Sequence, residues 1–339
     1  MKNIIIRMIL LSALFSTAFA ADATKLEDIN IRDPFVYVDQ KNKMYYLYRS
    51  KSPAWNIASE RGGVEVFWSR DLKEWEGPVS VMSVPADNWA TGTVWAPEVH
   101  EINGKYYLFA TVNDTIQWKK VSPSGKWYVQ RGTQIFKGKT PIGPFTSYEE
   151  KLPATPMGQM CLDGTFYREG SQNWMVYCHE WVELGDGTVE LVKLSKNMKP
   201  DSNPLRLFCS SAAPWSTGGE LTKGEISYVT DGVYLYKSPF SDNLYMIWSS
   251  FNNGNYAIGV AKSKTGKITG PWIHDANPLL NRDGGHGMIF TDLEDKPRLI
   301  LHGPNYPEGA ERAIIYDLID TGNTLCIKND LDSDTLPLQ

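Results

Sequence analysis

The chain has 339 residues and a formal net charge of −5, with 39 acidic against 34 basic side chains. The charge is spread along the chain without a basic block, which argues against nucleic acid as a partner. The 12 Trp and 17 Tyr suit either a β-rich core or stacking on sugar faces.

Residues 1–20 read as a secretory signal peptide. Lys2 and Arg7 form a positive n-region, Met8 to Phe15 is mostly apolar, and Ala18-Phe19-Ala20 is a small-residue cleavage site. The apolar run is too short for a membrane span and no later run is long enough. No Cys stands at the cleavage point. The expected protein is therefore periplasmic or secreted, without a membrane anchor, and its domain occupies residues 21–339.

A phrase then recurs along the chain: a polar opener, an apolar strand, a turn, and a second strand rich in Tyr, Leu and Trp. The openings are Arg32-Asp33-Pro34-Phe35, Trp95-Ala96-Pro97-Glu98, Cys161-Leu162-Asp163-Gly164, Thr230-Asp231-Gly232 and Gly285-His286-Gly287. They fall roughly 55 to 70 residues apart, near the repeat of a β-propeller blade with insertions. Most other segments are also short, β-branched or aromatic, and bounded by Gly, Asn, Asp or Pro. None keeps a helical period. Gly77-Pro78, Gly143-Pro144 and Gly270-Pro271 are read as closing blades at outer strands, where Pro is tolerated. The spacing predicts an all-β, five-bladed β-propeller in a single domain, since one blade cannot bury its own faces. Residues 21–30 either pair with the last blade or form a tail.

Openers at the starts of innermost strands would bring polar side chains together on the axis. A ring of carboxylates in a cleft is what glycosidic hydrolysis needs. Four Cys (161, 178, 209 and 326) allow three pairings, and Cys161 and Cys178 read equally well as buried free thiols. There is no CxxC motif, no zinc-binding histidine spacing, no G-x-S-x-G elbow, no Walker loop and no dinucleotide fingerprint.

The five phrases in order resemble glycoside hydrolase family 43. That resemblance implies inverting hydrolysis, mainly of α-L-arabinofuranosides and β-D-xylosides of plant polysaccharides. It implies that Asp33 is the base, and that Asp163 tunes and orients the acid. The usual fourth-blade opener is Glu-Gly-Pro, and here Asp231 stands in that place. Glu180, just past the second strand of blade three, is the favoured acid. Asp231 is the runner-up, with Glu225 and Glu98 behind. Glu98 is expected to hydrogen-bond a sugar or a catalytic side chain. Arg32, Trp95, His179 and Trp248 are candidate subsite residues, as are Trp55, Trp89 and Trp118 on connecting segments. His286 is expected on the axis below the substrate, either as a buried hydrogen-bonded ring or near a calcium held through water. No cofactor is required.

The leading expectation is an α-L-arabinofuranosidase acting on carbohydrate, with a monomer as the default state. A β-xylosidase or other exo-glycosidase is the alternative within the family. Inserts around 50–64, 115–135 and 183–190 are candidates for a wall that closes a pocket for exo action. A non-catalytic glycan-binding propeller is the alternative from another class.

Overall fold

The computed structural model describes residues 23–51, 61–120, 127–222 and 225–328. The expected signal peptide and Trp55 lie outside them, as do the side chains of Trp118 and Glu225. The described chain is almost entirely β, arranged as five blades of antiparallel strands. Blade 1 runs Phe35–Asp39, Met44–Ser50, Gly63–Ser69 and Glu74–Ser83. Blade 2 runs Val94–Ile102, Lys105–Lys120, Trp127–Gly138 and Thr146–Ser147. Blade 3 runs Cys161–Glu169, Gln172–His179, Thr188–Leu194 and Leu205–Cys209. Blade 4 runs Asp231–Lys237, Leu244–Asn252, Asn255–Ser263 and Trp272–His274. Blade 5 runs Gly285–Thr291, Pro297–Gly303, Arg312–Asp320 and Leu325–Ile327. A two-stranded hairpin, Gly219–Thr222 with Glu225–Ser227, stands before blade 4. No described helix is long and apolar enough to cross a membrane.

Each inner strand packs against its neighbours, and the inner strands of blades 1 and 5 meet. The N-terminal segment joins both of these blades. Thr24–Lys25 pairs with the outer strand of blade 1, while Asn30 bridges Arg312 of blade 5. The alternative of a tail is thus replaced by a clasp on blade 1 with a single bridge to blade 5. The faces between blades are filled by aromatic and branched side chains, among them the fully buried Trp75, Trp215, Trp248, Tyr48 and Phe136. Burial of such rings supplies the non-directional driving force that holds blade to blade. Pro78 lies within an outer strand, Gly143-Pro144 stands one residue before an outer strand and Gly270-Pro271 directly before one; all three bonds are cis. All four cysteines are free, with Cys161 and Cys178 buried.

One device recurs where inner strands begin. Asp33, Ala96, Asp163, Gly232 and His286 all have left-handed backbone, with φ of 52°, 42°, 55°, 59° and 43°. In blades 2 to 5 a register shift falls at this point. A bulge of this kind re-aims a side chain instead of continuing the pleat. It also corrects the expected alignment of openers. Asp231 stands one residue before the left-handed position and Glu98 two residues after it.

Candidate active site

The bulged strand starts bring Asp33, Asp163, Asp231 and His286 together. His286 Nδ1 lies 3.4 Å from Asp33 Oδ1 and 3.5 Å from Asp163 Oδ2. The Gly232 backbone N–H donates to Asp163 Oδ2 at 2.9 Å, and Tyr256 donates its hydroxyl to Asp231 Oδ2 at 3.1 Å. Gly232 is required here. A Cβ on its left-handed backbone would fall 2.8 Å from His286 Cα and Cγ, so only glycine lets blade 4 approach the imidazole.

The three carboxylates sit in different electrostatic surroundings. Burial works against ionising Asp33, but the neighbouring His286 and Arg32 charges hold its pKa below the ordinary carboxylate value. Burial raises both Asp163 and Asp231; nearby carboxylates add to the rise and His286 opposes it. These two titrate as a pair that retains a proton. His286 is itself raised, because Asp33, Asp163, Asp231 and Glu98 outweigh its burial. One ionised carboxylate facing a pair that keeps a proton is the electrostatic pattern of a base opposite an acid.

Around this centre, Arg32 lies 3.9 Å from Asp33 through Nε and is anchored by Asn305 Oδ1 at 2.6 Å and Glu311 at 3.2 Å. Trp95 is half-buried beside blade 2's opener, and the Arg131 guanidinium lies over its ring at 4.4 Å. Arg131 also pairs with Glu180 at 2.8 Å, both side chains being under 10 % exposed. Glu180 does return to the face where Asp163 starts, since His179 is paired with Cys161. Its surroundings differ from the apolar pocket expected of a raised acid, because a guanidinium faces it.

Three expectations need correction. Trp248 has no exposed surface and packs against Trp215 and Phe208, so it is core and not a sugar platform. His179 is clamped between Glu183 at 2.9 Å and Glu190 at 3.2 Å, leaving neither ring nitrogen for a substrate. Those two glutamates outweigh burial and raise its pKa to about 9. Glu98 bonds His100 on its own strand at 2.9 Å, instead of a catalytic side chain. Among the loop tryptophans, Trp89 is half-buried and donates to Gln134 Oε1 at 2.8 Å, which makes it a packing plug.

An axial calcium held through water, as expected beside His286, is distinct from one ligated directly by side chains. Calcium needs a cage of oxygen ligands, and the described residues contain no group of three or more His, Cys, Asp or Glu arranged to hold a metal. His286 Nδ1 already faces two carboxylates.

Sequence reasoning missed Tyr256, His302 and Arg131. His302 carried a weak signal, as the polar end of the apolar run Leu299-Ile300-Leu301. Tyr256 and Arg131 carried none.

A five-bladed propeller with carboxylates gathered on its axis defines a glycosidase-like class. The pattern of glycosyl hydrolases family 43 matches residues 28–327, and the chain belongs to that family. An endo-arabinase structure from Bacteroides thetaiotaomicron is 34 % identical, with a TM-score of 0.75 over 88 % of this chain and 98 % of that one. The extracellular endo-α-(1→5)-L-arabinanase 1 of Bacillus subtilis is 24 % identical over 295 residues, 81 % of this chain and 79 % of that protein. The extracellular exo-α-(1→5)-L-arabinofuranosidase of Streptomyces avermitilis is 22 % identical over 235 residues, 63 % of this chain. The match spans 44 % of that longer relative.

Proposed function

We propose that the protein is an exported, inverting glycoside hydrolase that cleaves α-L-arabinofuranosyl linkages of plant polysaccharides. The observation that carries this reading is the gathering of Asp33, Asp163 and Asp231 around His286, with Asp33 held ionised and the other two raised. Asp33 takes a proton from a water as that water attacks the anomeric carbon. The acid protonates the departing glycosidic oxygen, and the anomeric configuration inverts. Asp231 is taken as the acid, because its carboxyl belongs to the raised pair, with Glu180, ion-paired to Arg131, as the alternative. Asp231 in turn raises Asp163, so the two carboxyls share the retained proton. Arg32 and Trp95 border this centre and are the subsite candidates that remain. The arabinose assignment rests on relatives named for α-(1→5)-L-arabinan chemistry, and export rests on relatives named extracellular and on the N-terminal pattern.

The test is hydrolysis of linear α-1,5-arabino-oligosaccharides and of 4-nitrophenyl α-L-arabinofuranoside, beside the β-D-xyloside. Proton NMR of the first-formed sugar reads the anomer. Release of the inverted product by wild type, abolished in Asp33→Ala, supports the reading. Cleavage of only the xyloside moves the substrate to xylan. Binding without cleavage of any substrate leaves a glycan-binding propeller. Endo action is a second reading, favoured by the likeness to the Bacteroides endo-arabinase. Products longer than arabinose from a linear arabinan distinguish it from arabinofuranosidase action.

A further inference from the structure

The left-handed residues at the strand starts need their N–H groups satisfied, and the preceding blade supplies the partner. Asp163 N–H donates to Thr111 Oγ1 at 2.8 Å, and His286 N–H donates to Ser249 Oγ at 2.9 Å. Thr111 and Ser249 occupy equivalent places on second strands, opposite Trp95 and Asp231. At the same place in blade 5, opposite Gly285, stands His302. Its Nδ1 accepts from Asp33 N–H at 3.2 Å. A small hydroxyl suffices for this bond in two blades. In blade 5 the chain buries a whole imidazole, with no exposed surface, at a desolvation cost.

The larger ring makes a contact that a hydroxyl does not reach. Its plane stacks on Tyr256, with centroids 5.8 Å apart and planes 27° from parallel. Tyr256 in turn donates to Asp231. Glycine makes the stack possible, because a Cβ on Gly285 would fall 2.3 Å from the Tyr256 ring.

We propose that His302 and Tyr256 are a positioning pair that fixes Asp33 and Asp231 relative to one another. The proposal rests on the reading of Asp33 as base and Asp231 as acid. His302 acts as a neutral ring with its proton on Nε2, since a backbone N–H can only donate and Nδ1 must accept. Burial supports that form by pushing its pKa down to about 3. The charged and titratable groups around the stack are Asp33, Arg32, His286, Asp163 and Asp231. Tyr256 stabilises the ionised form of Asp231 by its hydrogen bond, and so sets where the acid loses its proton.

The experiment compares His302→Leu, His302→Asn, Tyr256→Phe and Asp33→Ala on an arabino-oligosaccharide, with circular dichroism as the folding check. His302→Leu is expected to lose about 10²-fold in kcat, the cost of misplacing a reacting group by roughly 1 Å, with KM within about twofold. Asn offers an acceptor near the position of Nδ1, so His302→Asn recovers most of that loss. Tyr256→Phe keeps the stack but moves the alkaline limb of kcat/KM upward. Wild-type kcat in His302→Leu overturns the proposal, as does a His302→Asn enzyme no better than His302→Leu. Should the Leu variant not fold, an unshifted pH profile in Tyr256→Phe overturns it. An active Asp33→Ala enzyme defeats the assignment of Asp33 as base instead. An inactive one beside an unimpaired His302→Leu defeats only the positioning pair.

Discussion

Gly232→Ala isolates the contact on which the active centre depends. Gly232 has a φ of 59°, and an added Cβ would meet His286 at 2.8 Å. Alanine in left-handed backbone costs about 1–2 kcal/mol, and forcing a methyl into packed surroundings adds about 1–3 kcal/mol. The expected loss is the sum, about 2–5 kcal/mol. An unfolding entropy near 2.1 cal/mol/K per residue gives about 0.6 kcal/mol/K for a domain of roughly 300 residues. The melting temperature should therefore fall by about 3–8 °C. Gly254 provides a matched control, because its φ is 84° but nothing lies within 4 Å of the added Cβ. Gly254→Ala bears only the backbone term, and its melting temperature should fall by about 2–3 °C. Gly232→Ala should also lose kcat, because the Gly232 N–H holds Asp163. The assay is a pair of thermal melts with kcat on an arabino-oligosaccharide. Equal melting losses in the two variants, with wild-type kcat in Gly232→Ala, would refute the close approach.

Three further outcomes test the site and its frame. On an oligosaccharide, Asp231→Asn should lose about 10²–10⁴-fold in kcat, whereas Glu180→Gln should change KM or stability more; the reverse pattern in steady-state kinetics reassigns the acid to Glu180. The pKa of His179 is raised from 6.5 to about 9, so its ion pairs contribute stability that is fully present below pH 6.5 and is lost as pH rises through about 9. Melting temperatures across that range should fall, and fall less in His179→Gln. Trp248→Ala should cost about 3–5 kcal/mol through the cavity it leaves while KM stays near wild type; a raised KM in a stable variant would restore it as a subsite residue.

Much of the fold was legible because a propeller repeats its message. A strand writes its burial pattern locally, so five copies of opener, strand and turn mark five blades in order. Asp33 and Asp163 were legible for the same reason, each standing beside an apolar strand in a fixed phrase. The register at the bulges was not. A bulge re-aims the side chains around it, which left Asp231 in the cluster one residue before the left-handed position and set Glu98 two residues past it, bonded to His100.

Trp248 and His179 show the second limit. An aromatic next to a strand end reads alike whether it faces sugar or core, and a histidine beside glutamates reads alike whether free or clamped. Their surroundings come from Trp215, Phe208 and Glu190, residues 11 to 40 positions away along the chain. The support beneath Asp33 comes from still further: His302 lies 269 residues away and reaches it only because the ring closes. Chain order thus carries the kind of fold and the identity of the principal carboxylates, since both are written in local, repeated patterns. The protonation of those carboxylates, and the groups that hold them, arise where blades 1, 3, 4 and 5 meet, because electrostatics depends on distance in space and not along the chain.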